Sequence, residues 1–398
     1  MLKRIHIKGY KSLVDVCFEL KPLSILFGPN AAGKSNFLDA LQLLSRLATS
    51  QTLKEAFEPP YRGTPLESLT FGPDGLKGLL SQERASFSIE ADIQLSDSVK
   101  NLVNEQIRVM KTTHSSNGEP AAEGGNGTLS SVRERFLRYR IEIEIIPKLG
   151  FLRVVDEYLA AINAVGQVTN KRKPFLEKVG DRLHLRMEGQ AHPTYHELYL
   201  DRSILSFSLY TPHYPHIVAM KEELRRWLFF YFEPRERMRA SNPVKEVRHI
   251  GHMGEELPAF LNTLKALSPA QFRAVEKALH MIVPSVTGID VGVSDVGEVE
   301  LRLLEGQVAI PARVVSEGTL RILGLLALQG AKESPGLLGF EEPENGVHPR
   351  RIEMIANNLK TRAVGPTQII ATTHSPVLLN LIPTKHLFVC QKRGGRTD

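Results

Sequence analysis

The chain has 398 residues, of which 42% are hydrophobic and 24% are charged, with a formal net charge of +6. This length and composition are typical of a globular protein with one large or two modest domains, and they exclude a low-complexity or fibrous chain. There is no apolar run of the roughly 18 residues that span a bilayer, no apolar signal segment and no metal-binding cysteine spacing, so a cytoplasmic chain with reduced thiols and no membrane partner is expected.

The N-terminal region contains a phosphate-binding sequence. Residues 28–35 read GPNAAGKS and match the pattern GxxxxGK[ST]. The apolar segment LSILF before them predicts a buried strand, and Phe37, Leu41 and Leu44 after them have helical spacing. Glycines in such a loop let backbone N–H groups face phosphates, and the lysine reaches the β and γ phosphates. The residues predicted to bind the nucleotide are Gly28, Pro29, Asn30, Ala31, Ala32, Gly33, Lys34, Ser35 and Asn36.

The middle of the chain shows a change of periodicity. Residues 86–95 and 138–146 alternate apolar and polar side chains, which predicts antiparallel strands. Between them, the composition predicts a mobile loop at about 109–131, because large apolar residues are almost missing there. Helical spacing returns in EELRRWLFFYF, LPAFLNTLKAL and QFRAVEKALHMIV, which predicts a helical subdomain over 201–285.

The C-terminal third contains three further motifs. These are VVSEGTLR at 314–321, LLGFEEPE at 337–344 and QIIATTHSP at 368–376. The second motif predicts a buried strand that ends in Glu341 and Glu342, and an apolar strand rarely ends in two acids without a cation or water to meet them. The alternative interpretation is a pair of surface or helix-capping carboxylates.

In this order, the motifs resemble the ABC-type ATPase heads of the SMC, RecF and OLD-like group, and most closely the standalone bacterial AAA-family ATPases with SEGTLR and EEPENGxHP signatures. The resemblance implies an α/β P-loop NTPase of the ABC-head type, with a mixed parallel core sheet, a flanking antiparallel β-sheet, a helical subdomain and no long coiled coil. It also implies an N-terminal lobe over 1–200 and a C-terminal lobe over 286–398, on either side of the helical subdomain.

The resemblance gives expected roles to the catalytic residues. ATP and Mg²⁺ are the implied cofactors, with Lys34 on the phosphates and with Ser35 and Glu341 at the metal. Many relatives carry Asp where this chain has Glu341, so the longer side chain is expected to reach the metal through water. Glu342 is the expected general base for the attacking water. His374 is expected to sense the γ-phosphate, although a lone histidine after a strand is more often a turn residue.

Four other residues have roles that depend on the resemblance. Lys11 and Ser12 lie where related heads bring a basic residue and a serine to the nucleotide; an ordinary edge strand with solvated lysines is the alternative. Ser316 and Gly318 match the signature motif, which contacts the γ-phosphate bound by the opposite protomer, whereas a plain capped helix is the alternative. The trans contact implies a homodimer that closes around ATP.

Several short clusters of basic residues make DNA a candidate partner, bound through its phosphates without sequence readout. Solvated, ion-paired surfaces explain the same clusters equally well. The arginines concerned include Arg133, Arg135, Arg138, Arg140, Arg225, Arg226, Arg235, Arg237 and Arg239.

The sequence as a whole therefore predicts an ATP-hydrolysing, ATP-dimerised nucleotide-gated switch. By family analogy, its setting is bacterial DNA maintenance or anti-phage defence beside a separate nuclease or toxin effector. Two alternatives stay open: a low-turnover ATP-dependent scaffold or sensor, and the ATPase subunit of a transporter. The transporter is disfavoured because SEGTLR stands where LSGGQ is expected.

Overall fold

The computed structural model describes residues 1–115, 131–169, 172–188, 192–328 and 334–397. Its strands are β1 (Leu2–Tyr10), β2 (Leu13–Glu19), β3 (Leu23–Phe27), β4 (Ala85–Gln94), β5 (Phe136–Ile146), β6 (Phe151–Ala161), β7 (Leu176–Val179), β8 (Arg182–Arg186), β9 (Pro193–Glu197), β10 (Trp227–Phe230), β11 (Asn242–Pro243), β12 (Gly288–Val293), β13 (Glu298–Glu305), β14 (Val308–Pro311), β15 (Leu337–Glu341), β16 (Gln368–Thr373), β17 (Leu387–Val389), β18 (Lys392–Arg393) and β19 (Arg396–Thr397).

The α-helices are α1 (Lys34–Thr49), α2 (Leu53–Ala56), α3 (Gly75–Ser81), α4 (Asp97–Ser115), α5 (Pro215–Arg225), α6 (Leu257–Leu267), α7 (Pro269–Ile282), α8 (Glu317–Ala327), α9 (Pro349–Val364) and α10 (Pro376–Asn380). Short 3-10 helices cover Leu66–Ser68, Ile204–Ser206, Ala312–Val314 and Thr384–His386.

The chain forms two compact units. The first contains Met1–Lys21, Ala31–Trp227 and Cys390–Asp398, and the second contains Pro22–Asn30 and Leu228–Val389. The phosphate-binding loop therefore passes from the second unit to the first between Asn30 and Ala31.

The first unit is built on an antiparallel sheet with the strand order β2-β1-β4-β5-β6-β7-β8-β9. Strand β5 shows why the alternating pattern folds in this way: Tyr139, Ile141 and Ile143 are fully buried on one face, while the intervening charged residues lie on the other. Because side chains in a strand alternate between faces, this pattern suits a sheet with one packed and one polar surface. The predicted antiparallel strands are present.

The second unit contains a sheet with the order β10-β15-β16-β3-β17, in which β15, β16, β3 and β17 run parallel. Strands β15 (LLGFE) and β16 (QIIATT) are mainly apolar and almost completely buried, as expected for parallel strands covered on both faces. A smaller antiparallel sheet, β11-β13-β12 with β14 beside β13, belongs to the same unit.

The structure divides the chain differently from the three successive regions expected from the sequence. Helix α5 packs on α1 and α4 in the first unit, whereas α6 and α7 pack on β12 in the second. Helical spacing identifies these helices but does not show which sheet buries their apolar faces. Residues 201–285 therefore do not form a subdomain of their own.

The segment Trp227–Phe230, expected to be helical, is strand β10. An apolar run this short has no decisive periodicity. Packing against β15 favours the strand over a helix. Phe229 and Phe230 are buried, and the Phe229 ring occupies the space where a side chain at Gly339 would lie.

Part of the expected mobile loop is also regular structure. Residues 109–115 form the end of α4, whose buried Val99, Val103 and Ile107 recur at helical spacing and anchor its earlier turns. Residues 116–130, the greater part of that loop, lie outside the described residues.

Candidate functional site

The loop of residues 28–33 connects β3 to α1, as the sequence predicted. Gly33 has φ 95°, a left-handed conformation that favours glycine, and α1 begins at Lys34 immediately after it. In the described part of the chain, α1 has neither a side-chain cap nor an acidic residue in its first turn. A helix start of this kind offers partial positive charge to an anion.

Lys11 and Ser12 lie beside α1 and this loop. The Lys11 ammonium donates to Asp39 Oδ2 at 2.7 Å, and Arg62 Nη2 donates to Asp39 Oδ1 at 2.9 Å. Ser12 Oγ accepts from Asn36 Nδ2 at 2.8 Å. Asp39, which the sequence motifs did not single out, pairs with both cations and ties Lys11 to the helix. The approach of Lys11 and Ser12 to a nucleotide stays a prediction.

The carboxylate motif and the THSP motif end at the same edge of the parallel sheet. Glu341 pairs with Thr372, and Thr372 pairs with Leu26, so the three residues form one row across β15, β16 and β3. The residues that follow these strands include Glu342, His374 and the start of the phosphate-binding loop. The carboxyl edge of parallel strands is where α/β proteins place their ligands.

Glu342 and His374 contact each other directly. His374 Nδ1 lies 2.9 Å from Glu342 Oε1, and half of the His374 side chain is exposed. Glu342 has φ 46°, which is uncommon for a residue with a side chain, and its N–H donates to the Thr372 carbonyl at 3.0 Å. The turn that follows β15 is therefore fixed to β16 at the point where it presents the Glu342 carboxylate.

Glu344 is a site residue that the sequence motifs did not single out. It is 5% exposed, and one of its carboxyl oxygens accepts from the Thr373 hydroxyl. Its other oxygen has no hydrogen-bond partner among the residues that the structure describes. Burial raises the pKa of Glu344, which favours the neutral acid. The only sequence signal was a third acid so close to an apolar strand.

The signature segment packs on the same turn. Ser316 caps α8 by accepting from the Thr319 N–H at 3.3 Å. A Cβ atom at Gly318 would lie 2.5 Å from the carbonyl oxygen of Gly346 and 3.2 Å from Val347 Cα. Close approach of backbone therefore explains Gly318 within one chain. The contact of Ser316 and Gly318 with a partner's nucleotide stays a prediction.

Two of the arginines considered for phosphate binding are engaged elsewhere. Arg138 forms a bidentate pair with Asp92, at 2.6 and 2.7 Å, and Arg140 Nη2 lies 2.6 Å from Asp156 Oδ2. These contacts belong to the charged face of the antiparallel sheet. For these two arginines the structure shows the ion-paired alternative, because carboxylates on neighbouring strands pair with them.

Ser35 and Glu341 are the metal ligands expected from the sequence, and their binding of Mg²⁺ stays a prediction. No group of three or more His, Cys, Asp or Glu residues is placed to hold a metal ion in the described portion of the chain. Mg²⁺ is usually bound by one or two protein ligands together with phosphates and water. Ser35, in the first turn of α1, and Glu341, at the end of β15, are ligands of the required chemistry.

The family profile described as "AAA domain, putative AbiEii toxin, Type IV TA system" matches residues 23–380. The chain belongs to this family. A search of curated proteins gave no match. Among the described residues, no helix is both long and apolar enough to cross a membrane.

Solved structures show the fold of this AAA domain. The SmcHead bound to the C-winged helix domain of ScpA has a TM-score of 0.58 and 11% identity, over 100% of this chain and 96% of that chain. The Smc head with an extended coiled coil, bound to the C-terminal domain of ScpA derived from Pyrococcus furiosus, has a TM-score of 0.50 and 11% identity, over 100% and 94%. The predicted P-loop ATPase head fold of the ABC and SMC type is confirmed.

Proposed function

We propose that the protein hydrolyses ATP and acts as a nucleotide-gated switch, with two copies closing around ATP. The observation that carries the proposal is the row Glu341–Thr372–Leu26, from which Glu342, His374 and the phosphate-binding loop leave one edge of one sheet. An ATPase needs phosphate binding and a water-activating group at the same place, and this edge supplies both.

Each residue has a defined part in the proposed reaction. The loop amides and Lys34 bind the phosphates. Ser35 and Glu341 would hold Mg²⁺, which would supply charge neutralisation at the phosphates. Glu342 accepts a proton from the water that attacks the γ-phosphorus, and the bond from that phosphorus to the bridging oxygen breaks. His374 is already hydrogen-bonded to Glu342 and links the base to the γ-phosphate position.

The switch depends on a second copy. In this proposal, Ser316 and Gly318 of one protomer contact the γ-phosphate held by the other, so bound ATP connects the two heads and hydrolysis releases them. The family description names a putative AbiEii toxin of a type IV toxin–antitoxin system, which supports a protein that works together with a second component. The solved SMC heads bind the protein ScpA, which supports a protein partner for this chain also.

A low-turnover scaffold or sensor is the second candidate. The Glu342–His374 hydrogen bond favours it, since a carboxylate held by histidine is a less available base. DNA contact is a weaker proposal, because Arg138 and Arg140 are paired with carboxylates.

The proposed activity is tested by nucleotide binding and phosphate release in three variants. Lys34→Ala should abolish ATP binding, because the ammonium contacts the phosphates. Glu342→Gln should keep ATP binding and lower turnover by about 10²- to 10⁴-fold, since it removes the general base. Glu353→Gln, an exposed position on α9, is the control and should match the parent protein. ATP affinity within about threefold of the parent in Lys34→Ala would remove the nucleotide-site assignment.

A further inference from the structure

A short hairpin, β18–β19, follows the last strand of the parallel sheet. Strand β17 runs parallel to β3, with Val389 opposite Phe27. Both strands therefore end at the same edge of the sheet. Strand β3 continues into the phosphate-binding loop, and β17 continues into residues 390–397. The hairpin turns at Gly394 and Gly395, which have φ values of 55° and 84° and suit the tight turns of two-residue hairpins.

The first residue after β17, Cys390, lies close to Lys34. Cys390 is buried, and burial raises the pKa of its thiol to about 11, while the charge of Lys34 opposes that rise. The thiol therefore stays neutral. Its interaction with Lys34 shows that Cys390 lies near the start of α1.

The far end of the hairpin is fixed to the phosphate-binding loop. Thr397 is 8% exposed; its Oγ1 lies 2.6 Å from Ser12 Oγ, and its N–H donates to the Ser12 carbonyl at 2.8 Å. A Cβ atom at Gly33 would collide with the Thr397 hydroxyl and would lie 2.7 Å from Ser12 Oγ. Asn36 Nδ2 donates to the same Ser12 hydroxyl at 2.8 Å. Thr397 and Ser12 thus form a latch that holds the hairpin against Gly33.

The pairing of the hairpin determines which cation faces the loop. Lys392 is opposite Thr397, and Arg393 is opposite Arg396. Directly opposite residues of antiparallel strands share a face, so Lys392 lies on the side of the latch and both arginines lie on the other. Lys392 is exposed, and its side chain has no hydrogen bond or ion pair within the described ranges.

We infer that the β18–β19 hairpin is part of the nucleotide site, and that Lys392 supplies a second cation to the phosphates of a nucleoside triphosphate held by the loop. The inference rests on the proposed function, because the ligand is the same nucleotide. A lysine ammonium is a flexible point charge suited to phosphate. The latch keeps that charge beside the loop and reduces the ordering needed when nucleotide binds.

The test compares two cations of the same hairpin that lie on opposite faces. The dissociation constant of N-methylanthraniloyl ATP is measured for the parent, Lys392→Ala, Arg393→Ala, Thr397→Val and Lys34→Ala. At about 0.15 M salt, exposed charges farther than about 8 Å are largely screened. Lys392→Ala should weaken binding by about tenfold, the usual worth of a charge-assisted hydrogen bond, whereas Arg393→Ala should stay within about twofold of the parent.

The latch has its own readout. Thr397→Val keeps the side-chain volume but removes the hydroxyl bond to Ser12, so it should also weaken binding. Trypsin should cut this variant after Arg393 and Arg396 faster than the parent, which shows that the hairpin has been released. Circular dichroism spectra and melting temperatures that are the same for the variants and the parent protein establish that the fold is kept.

The possible failures are distinguishable. Equal losses in Lys392→Ala and Arg393→Ala, parent-like binding by Lys392→Ala, or tighter binding when the latch is removed would each overturn the inference. If Lys34→Ala abolishes binding in the same experiment, the proposed function survives that failure. If the parent protein does not bind the nucleotide, or Lys34→Ala binds as well as the parent, both proposals fall.

Discussion

Glu344 shows how a buried acid at the site affects the pH dependence of stability. Its pKa is raised from the ordinary value of 4.5 by burial, so the folded state retains the proton at pH values where the unfolded chain has lost it. The resulting stability is fully present below about pH 4.5 and is lost as the pH rises through the folded-state pKa. Each unit of such a shift corresponds to about 1.4 kcal/mol.

Glu344→Gln replaces the neutral acid by a neutral amide of similar shape. Relative to this variant, the parent protein should therefore lose stability between pH 5 and pH 8. Urea unfolding of both proteins at the two pH values measures the difference, and titrations common to both cancel. An unchanged difference between the two pH values, or a parent that gains relative to the variant at pH 8, would show that Glu344 is not held as the neutral acid.

Gly318 is explained by packing, which gives a prediction with a matched control. Gly318→Ala places a methyl group against the backbone of Gly346 and Val347, and overpacking of this kind costs about 1–3 kcal/mol. Alanine otherwise favours a helix over glycine by about 1 kcal/mol, so a net loss would be diagnostic. Gly292→Ala, where the added Cβ meets nothing within 4 Å, should be near neutral. Chemical unfolding compares the two, and equal stability would contradict the close contact.

At the scale of elements, the motifs predicted the strand–loop–helix start, the strand before Glu341 and the helix capped by Ser316. Each depends on local chemistry: a glycine at positive φ, an apolar run that ends in acids, and a serine that accepts from an amide three residues later. Such signals lie within a few residues of chain and can be identified from one sequence.

The elements that were missed depend on partners distant in sequence. Trp227–Phe230 is a strand because Phe229 covers Gly339. The β18–β19 hairpin was not predicted because its anchor, Ser12, is 385 residues away from Thr397. The sequence left phosphate binding and an ion-paired surface equally open for the arginines of β5, because the facing carboxylates come from β4 and β6. Pairing register, which sets these contacts, is not encoded in local periodicity.

For the whole molecule, the two units are each assembled from separate stretches of chain, whereas the sequence predicted three successive regions. The β3 strand is near the N-terminus but belongs to the unit formed mainly by residues 228–389, because it pairs in parallel with β16 and β17. Parallel strands need long crossover connections. Sequence order therefore does not follow spatial order in this chain.

In the proposed switch, ATP joins two copies and its hydrolysis releases them. Glu342→Gln should trap the joined state, because it keeps the shape of the site but removes the base. Ser316→Arg in the same background should prevent dimerisation by placing bulk and charge at the expected trans contact. Lys34→Ala combined with Glu342→Gln should remain monomeric because nucleotide is not bound.

Sedimentation velocity of Glu342→Gln with and without Mg·ATP measures whether ATP joins two copies. The predicted result is a monomer without nucleotide and a stable dimer with it, while both double variants stay monomeric under either condition. A Glu342→Gln protein that is saturated with ATP and still sediments as a monomer would show that ATP does not join two copies, whatever its turnover rate.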